Sequence, residues 1–292
     1  GNAPERLDAG LDMSRLDGVV SHNPGDLTAT VEAGITLDSL QQTLAEHGQL
    51  LAIDPPLPDR ATVGGTLATM ASGPLRWQYG HPRDLVIGLK VVQADGTSTE
   101  SGGQVVKNVS GYDMARLHIG GLGTLGIIVE VSFKLTPLPA HETTVLAAFK
   151  DAADCGGAAL QIFNGPVTPL ALTTYDATVQ QMAELPALAG SHFMAVRLGG
   201  RTRSLERMQR ESIASCKSNG ALSVEVIDAD VALRLWCELA DFGWRPEALP
   251  AVAIRLSTLP AKTMVDAVVD APLAGIRPAV VADPGYGHAS VA

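Results

Sequence analysis

Alternating apolar and polar positions predict strands along the first half of the chain. Leu27, Ala29 and Val31 alternate with polar residues, and the same period recurs over residues 85–91 and 127–135. Side chains two positions apart lie on the same face of a strand, so each segment predicts a strand with one buried face.

One helix interrupts these strands. Leu37, Leu40 and Leu44 recur at helical spacing, Thr36 precedes them as a capping residue, and Gly48 follows as a stop. This pattern predicts a helix over residues 37–47.

The rhythm changes after the proline-rich segment TPLPA, which predicts a domain boundary. Strand-like segments (143–149, 192–198, 221–228, 252–259) then alternate with helical ones (203–217, 229–242, 261–271). We therefore predict an α+β fold with a first domain over residues 1–139 and a second, cap-like α+β domain over residues 140–274. Residues 275–292 are predicted to form a strand that returns to the first domain.

Composition narrows the kind of ligand. The chain has 292 residues, 46% of them hydrophobic, and a net charge of −10 at pH 7. No Lys/Arg cluster of the kind that nucleic acids require is present, and no apolar run has the length of a membrane span. Three widely spaced cysteines favour neither a disulfide framework nor a zinc site, and we expect a cytoplasmic protein. An anionic ligand would be held by backbone dipoles.

The segment ATVGGTLATMASGP, residues 61–74, is unusually poor in large side chains. Glycine lets a ligand approach the backbone closely, and converging amides in a loop bind an anion without lysine. Residues 120–128, GGLGTLGII, form a second bare segment that leads into a strand. Two such surfaces predict a dinucleotide site, although glycine-rich turns without a ligand explain the spacing equally well. The Rossmann and P-loop motifs are absent, so another fold would hold the nucleotide.

Three longer motifs carry a family resemblance. DRATVGGTLATMASGP, YGHPRDLVIGLKVVQADG and GGQVVKNVSGYDMARLHIGGLGTLGIIVEVSFKLTPLP, taken in this order, resemble the FAD-binding domain of the vanillyl-alcohol-oxidase/PCMH flavoproteins. The resemblance extends from about Leu11 to Pro139 and implies a flavin domain followed by a cap domain.

The resemblance also implies a set of FAD-binding residues. They are Pro55, Pro56, Thr62, Gly64, Gly65, Thr66, Thr69, Ser72, Gly73, Gly123, Gly126, Ile127 and Ile128. The FAD is expected to be non-covalent. Because the family's glycine-rich pyrophosphate loop has no counterpart before Leu11, we expect this chain alone to retain FAD weakly.

Few residues suggest substrate chemistry. Arg255, within a predicted strand, could bind a carboxylate, and Tyr79 could face the flavin; a solvent-facing arginine and a core tyrosine are equally good interpretations. Asn108 is expected to hold a turn, and Lys107 is expected to have a structural role there, although it could instead contact a ligand phosphate or carboxylate. No metal site is predicted, and no convincing base for removing a hydroxyl proton is visible.

Two functions remain open. The first is an FAD-binding subunit of a glycolate-oxidase-like complex, which oxidises a small 2-hydroxy acid and passes electrons through FAD to a further carrier. The second is an assembly or electron-transfer subunit that keeps the fold while a partner chain performs the chemistry. In both, the expected partners are other subunits, through which the protein could lie at the periphery of the inner membrane.

Overall fold

The computed structural model describes residues 6, 8–103, 114–245, 249–250, 252–257, 279–284 and 287–291. The helices in this part of the chain are α1 (Leu37–Ala45), α2 (Val63–Thr69), α3 (Arg76–Tyr79), α4 (Pro82–Leu85), α5 (Ala115–His118), α6 (Ala152–Phe163), α7 (Ala177–Met182), α8 (Thr202–Ser218) and α9 (Ala229–Asp241). The strands are β1 (Val19–Asn23), β2 (Thr28–Glu32), β3 (Gln49–Leu50), β4 (Val86–Val92), β5 (Ser98–Gly102), β6 (Ile127–Lys134), β7 (Thr136–Pro137), β8 (His141–Phe149), β9 (Ala171–Asp176), β10 (His192–Gly200), β11 (Ser223–Ile227), β12 (Ile254–Ser257), β13 (Val280–Asp283) and β14 (His288–Val291).

The chain divides into two compact units. Unit 1 comprises residues 1–51, 58–71 and 82–137, and unit 2 comprises residues 52–57, 72–81 and 138–292. Both units combine helices with antiparallel sheets, so the predicted α+β class is confirmed.

Unit 1 is built on a five-stranded antiparallel sheet in the order β1-β2-β6-β4-β5. The alternation in the sequence explains its core, since Val31, Leu89, Val91, Val131 and Phe133 are all buried. Inside the sheet, the hydroxyls of the paired residues Thr30 and Ser132 satisfy each other at 2.7 Å.

Helix α1 forms as its sequence predicts. The Thr36 Oγ1 atom accepts a hydrogen bond from Ser39 N at 3.3 Å, and Leu37, Leu40 and Leu44 are buried. The helix ends at Ala45, two residues earlier than predicted, and Gly48 follows with a φ of +66°.

Unit 2 is built on a seven-stranded antiparallel sheet in the order β11-β8-β10-β9-β13-β14-β12. Alternate residues of β8 enter two different cores: Val145, Ala147 and Phe149 pack with residues of α6 and α8, while Leu146 and Ala148 pack with residues of α7 and α9. Both faces of the central strands are covered, which explains their almost unbroken apolar sequence.

The two helices predicted over 203–217 and 229–242 correspond to α8 and α9. The four strands predicted over 143–149, 192–198, 221–228 and 252–259 correspond to β8, β10, β11 and β12. The predicted helix over 261–271 lies outside the described residues. The last strands differ from the prediction: β13 and β14 do not return to the first domain, because β13 pairs with β9 and β14 pairs with β12 inside the sheet of unit 2. None of the helices in the described part of the chain has the length and apolar character needed to cross a membrane.

Candidate functional site

The bare segment that begins at Ala61 folds into a helix rather than a loop. Thr62 caps α2, its Oγ1 accepting a hydrogen bond from Gly65 N at 3.1 Å. The other amides of the first turn are also occupied: Val63 N donates to Ile35 O, Gly64 N to Ala33 O and Thr66 N to Thr62 O. The expectation that these amides converge on an anion is therefore wrong, because each already has an acceptor within the protein.

The two glycine-rich segments do lie against each other. At the end of α2, Gly120 N donates to Leu67 O and Leu122 N donates to Ala68 O, each at 2.9 Å. Residues 120–122 therefore donate to carbonyl groups of the last turn of α2, where intrahelical donors run short; Leu67 O also accepts from Met70 N at 3.1 Å. The sequence-predicted residues of α2 and of the 120–128 segment form one continuous part of unit 1.

Packing explains two of the predicted glycines in this unit. A Cβ atom at Gly64 would lie 2.9 Å from Ala33 Cβ, and one at Gly126 would lie 2.6 Å from Val91 Cγ1. Gly126 also has a φ of +151°. These positions require glycine for the fold itself.

Gly65 and Gly123 differ, because both are exposed and no such crowding surrounds them. A Cβ atom at Gly65 would approach only Thr62 Oγ1, at 3.0 Å, and one at Gly123 would meet open space, although the φ of +73° at Gly123 still favours glycine there. The amides of Gly123 and Leu125 have no acceptor among the described residues. Unit 1 thus offers a ligand two exposed N–H donors and one accessible glycine face.

The remaining predicted residues of unit 1 flank this surface. Thr69 is exposed, and its hydroxyl donates to Gly65 O at 2.7 Å. Thr66 is 3% exposed, and its Oγ1 atom has no partner among the described residues. Ile127 and Ile128 begin β6, directly after residues 120–126.

Unit 2 contains the predicted residues Pro55, Pro56, Ser72 and Gly73. The neighbouring Asp54 fixes the backbone at Gly73 by a hydrogen bond. The Asp54 carboxyl group accepts hydrogen bonds from Gly73 N at 3.1 Å and from Leu75 N at 2.9 Å. A Cβ atom at Gly73 would lie 2.0 Å from Asp54 O, so this glycine is also required by packing. Burial of the carboxyl group raises the pKa of Asp54 to about 7, against the opposing effects of these hydrogen bonds and of Arg197 and Arg76.

Tyr79, the last residue of α3, lies near the ion pair between Arg197 and Glu142. The Arg197 Nε atom lies 2.7 Å from Glu142 Oε2. Burial raises the pKa of Tyr79, the charge of Glu142 raises it further, and Arg197 opposes both. Nearby in the sequence, Arg76 forms a buried ion pair with Asp283 at 2.8 Å.

Arg255 lies apart from Arg197 on the same sheet. As a whole it is exposed on β12, opposite Ser290 of β14, but partial desolvation of its guanidinium and then the charge of Arg76 lower its pKa. Strands β12 and β10 are separated by four strand spacings, or about 19 Å across the sheet.

Sequence reasoning missed Glu142 and Arg197. Their pairing depends on strand register, because Arg197 lies opposite Thr144 and Glu142 is its diagonal neighbour. The only local signal is a charged residue inside the apolar run HFMAVRL. Lys107 and Asn108 lie outside the described residues, and within the described residues no group of three or more His, Cys, Asp or Glu side chains could hold a metal ion.

Comparison with known proteins identifies the first part of the chain. Residues 7–102 match the family model described as an FAD binding domain. This match is to an FAD-binding domain of the PCMH type. Helices α1 and α2 and the β4–β5 hairpin all lie within the matched residues.

Two curated relatives extend the similarity. The chain is 30% identical over 237 residues to the glycolate oxidase subunit GlcD of Bacillus subtilis, covering 79% of this chain and 50% of that protein. It is 38% identical over 130 residues to the glycolate oxidase subunit GlcE of Escherichia coli, covering 44% of this chain and 37% of that protein. The chain thus spans half or less of the length of these relatives.

The fold of the whole chain also has solved counterparts. The crystal structure of p-cresol methylhydroxylase with substrate bound aligns with a TM-score of 0.71 at 16% identity, covering 96% of this chain and 65% of that one. This likeness supports the fold predicted for a PCMH-type flavoprotein.

Proposed function

We propose that this chain is the FAD-binding part of an oxidoreductase that oxidises a small 2-hydroxy acid within a glycolate-oxidase-like complex. The observation that carries the proposal is the similarity to two subunits named glycolate oxidase, one of which matches 79% of the chain. Electrons would leave through FAD to a further carrier, and other subunits would be the partners.

For the cofactor, we propose a role for the exposed surface of unit 1. A diphosphate accepts hydrogen bonds, and the amides of Gly123 and Leu125 can supply them. The open face of Gly65 would allow close approach of a flat or extended ligand, and Ile127 and Ile128 would offer apolar contact. Pro55, Pro56, Ser72 and Gly73 stay predictions for the same cofactor.

FAD, when bound, supplies a hydride acceptor for oxidation of the hydroxyl-bearing carbon. The protein must then bind the acid, orient it and accept the hydroxyl proton. Unit 2 contains polar residues suited to the first two tasks, around Glu142 and Arg197.

The visible spectrum of the purified natural-length protein tests the proposal. Flavin absorption bands that bleach anaerobically when glycolate or lactate is added, and return with an electron acceptor, are the expected result. Bands that stay unbleached until a partner subunit is added would favour the assembly or electron-transfer role. A protein that binds no FAD under any of these conditions would contradict the proposal.

A further inference from the structure

A small cavity opens beside Arg197 in unit 2. Its volume is about 210 Å³, and Glu142, Thr144, Arg197, Ala232, Leu233 and Trp236 are among the residues that line it. Pockets for drug-sized ligands run from about 300 to 1,000 Å³, so this cavity suits a smaller molecule.

The apolar wall of the cavity is held in place by buried contacts. Trp236 is 7% exposed, and its Nε1–H donates to the buried Thr144 Oγ1 at 3.0 Å. Leu235 and Leu239 of the same helix, α9, are buried in the core below. The wall is therefore positioned before any ligand arrives.

Arg197 lines this cavity, and part of its hydrogen-bonding capacity is unused among the described residues. Its Nε–H donates to Glu142 Oε2 at 2.7 Å, while its two Nη atoms have no hydrogen-bond partner among the described residues. A pair of Nη groups matches the two oxygens of a carboxylate, and the bond to Glu142 fixes the orientation of the guanidinium.

Glu142 supplies the complementary group. Its Oε1 atom has no partner among the described residues, so it can accept a hydrogen bond from a ligand hydroxyl. Tyr79 belongs to the same cluster of polar residues, since the charges of Glu142 and Arg197 both shift its pKa.

We infer that this cavity, the Arg197 pocket, recognises short 2-hydroxy acids: the Nη edge of Arg197 binds the carboxylate, and Glu142 accepts the hydroxyl hydrogen bond. The inference rests on the proposed function and deepens it. It assigns carboxylate recognition to Arg197 on β10 instead of Arg255 on β12, and it identifies a hydroxyl acceptor that the sequence did not reveal.

The test is ligand-detected NMR titration of the full chain with glycolate and with acetate, which lacks the hydroxyl. The wild-type protein should bind glycolate more tightly than acetate. Arg197→Gln should weaken glycolate binding by about ten-fold or more, the loss expected for a charge-assisted hydrogen-bonding pair. Arg197→Lys should also weaken it, because a lysine keeps the charge but lacks the planar fork.

Glu142→Gln separates the two roles. It should leave acetate binding nearly unchanged while the preference for glycolate over acetate falls by about five-fold, since a neutral acceptor forms a weaker hydrogen bond than a carboxylate. Arg207→Gln is the matched control, because Arg207 also pairs with a glutamate, Glu211 at 3.1 Å, but on the exposed surface of α8. This variant should bind both acids like the wild type.

Equal glycolate affinity in Arg197→Gln and Arg207→Gln, with both variants folded by thermal unfolding, would overturn the inference. So would a wild-type protein that binds neither acid or binds them equally. The flavin spectrum keeps the two proposals apart: FAD-containing protein whose bands bleach with glycolate, combined with unaffected Arg197→Gln binding, would reject the pocket and leave the proposed function standing.

Discussion

Adjacent glycines in α2 have opposite surroundings. Gly64 faces Ala33, whereas Gly65 faces outward beside the capping threonine. The resemblance to flavoproteins suggested both as cofactor residues, but only one has a face that a ligand could reach. This difference allows packing and cofactor binding to be tested separately.

Gly64→Ala should lower the free energy of unfolding by about 1–3 kcal/mol, because the new methyl group would overlap Ala33. Gly65→Ala should stay within about 1 kcal/mol of the wild type, since better helix propensity offsets a tight contact with Thr62. Urea unfolding of the two variants measures the difference.

The same pair tests the cofactor surface. In a fluorescence titration with FAD, Gly65→Ala should bind at least about ten-fold more weakly than the wild type, although it remains folded. Unchanged FAD affinity in this variant would contradict the placement of the cofactor against α2.

Asp54 should make stability depend on pH. Its pKa is 3.8 in an unfolded chain and about 7 in the folded protein, so the folded state binds more protons between these values. The contribution of Asp54 is therefore fully favourable below about pH 4, and stability is lost as the pH rises towards 7, by up to about 1.4 kcal/mol per pH unit.

Asp54→Asn should flatten this part of the profile. The free energy of unfolding of this variant should also be about 1 kcal/mol lower than that of the wild type at low pH. The reason is that an amide NH₂ cannot accept the hydrogen bond that one carboxyl oxygen accepts from Gly73 or Leu75. Unfolding by urea at intervals from about pH 4 to pH 8 gives the slope. A variant that keeps the wild-type slope would assign the titration to another group.

At the scale of elements, the sequence predicted those helices whose cap, apolar face and end signals lie within their own residues. Helix α1 has a cap, an apolar stripe and a stop within its own sequence, and α8, predicted over 203–217, buries Leu205, Met208, Ser212 and Cys216. Helix α2 was not predicted, because two glycines and two threonines in seven residues have low helix propensity. Its stability comes from the burial of Val63, Thr66 and Leu67 and from residues 120–122, which lie far away in sequence.

The polar pair of unit 2 lay beyond sequence reasoning for a related reason. Glu142 and Arg197 meet only because β8 and β10 pair in one particular register. A shift of one residue would turn either side chain to the opposite face of the sheet. Composition and spacing carry no record of that register.

Helix α3 is attached to β13 by the ion pair between Arg76 and Asp283, whose side chains are 13% and 6% exposed. Arg76→Met should lower the free energy of unfolding by about 3 kcal/mol, because it leaves a buried carboxylate without its cation. The exposed pair variant Arg207→Met should cost less than about 1 kcal/mol. Thermal unfolding of both variants compares their stabilities. Similar decreases in the two variants would show that burial does not increase the contribution of the Arg76–Asp283 pair to stability.

At the scale of the whole molecule, segments that are neighbours in the sequence belong to different compact units. Residues 52–57 and 72–81 precede most of unit 2 in the sequence, yet they make their contacts there. Leu57 N, for example, donates to Asp241 Oδ1 of α9 at 2.8 Å.

A fragment of residues 138–292 should therefore be less stable than the same residues in the intact chain. It would lack the Leu57 amide that donates to Asp241, the Arg76 guanidinium that pairs with Asp283, and the Trp77 ring that packs on Phe163 at 5.6 Å. Hydrogen exchange of β8 and β10 in the fragment and in the whole chain measures the difference. Equal protection would show that the two short segments contribute nothing to unit 2.

The polypeptide passes between the two units at residues 51/52, 57/58, 71/72, 81/82 and 137/138. A different unit 2 cannot be joined to this unit 1 at one splice point, since any such chimaera would inherit the wrong Asp54 and Arg76 segments. Exchange of substrate specificity among proteins with this architecture is then expected to proceed by replacing side chains within an inherited scaffold rather than by shuffling whole domains.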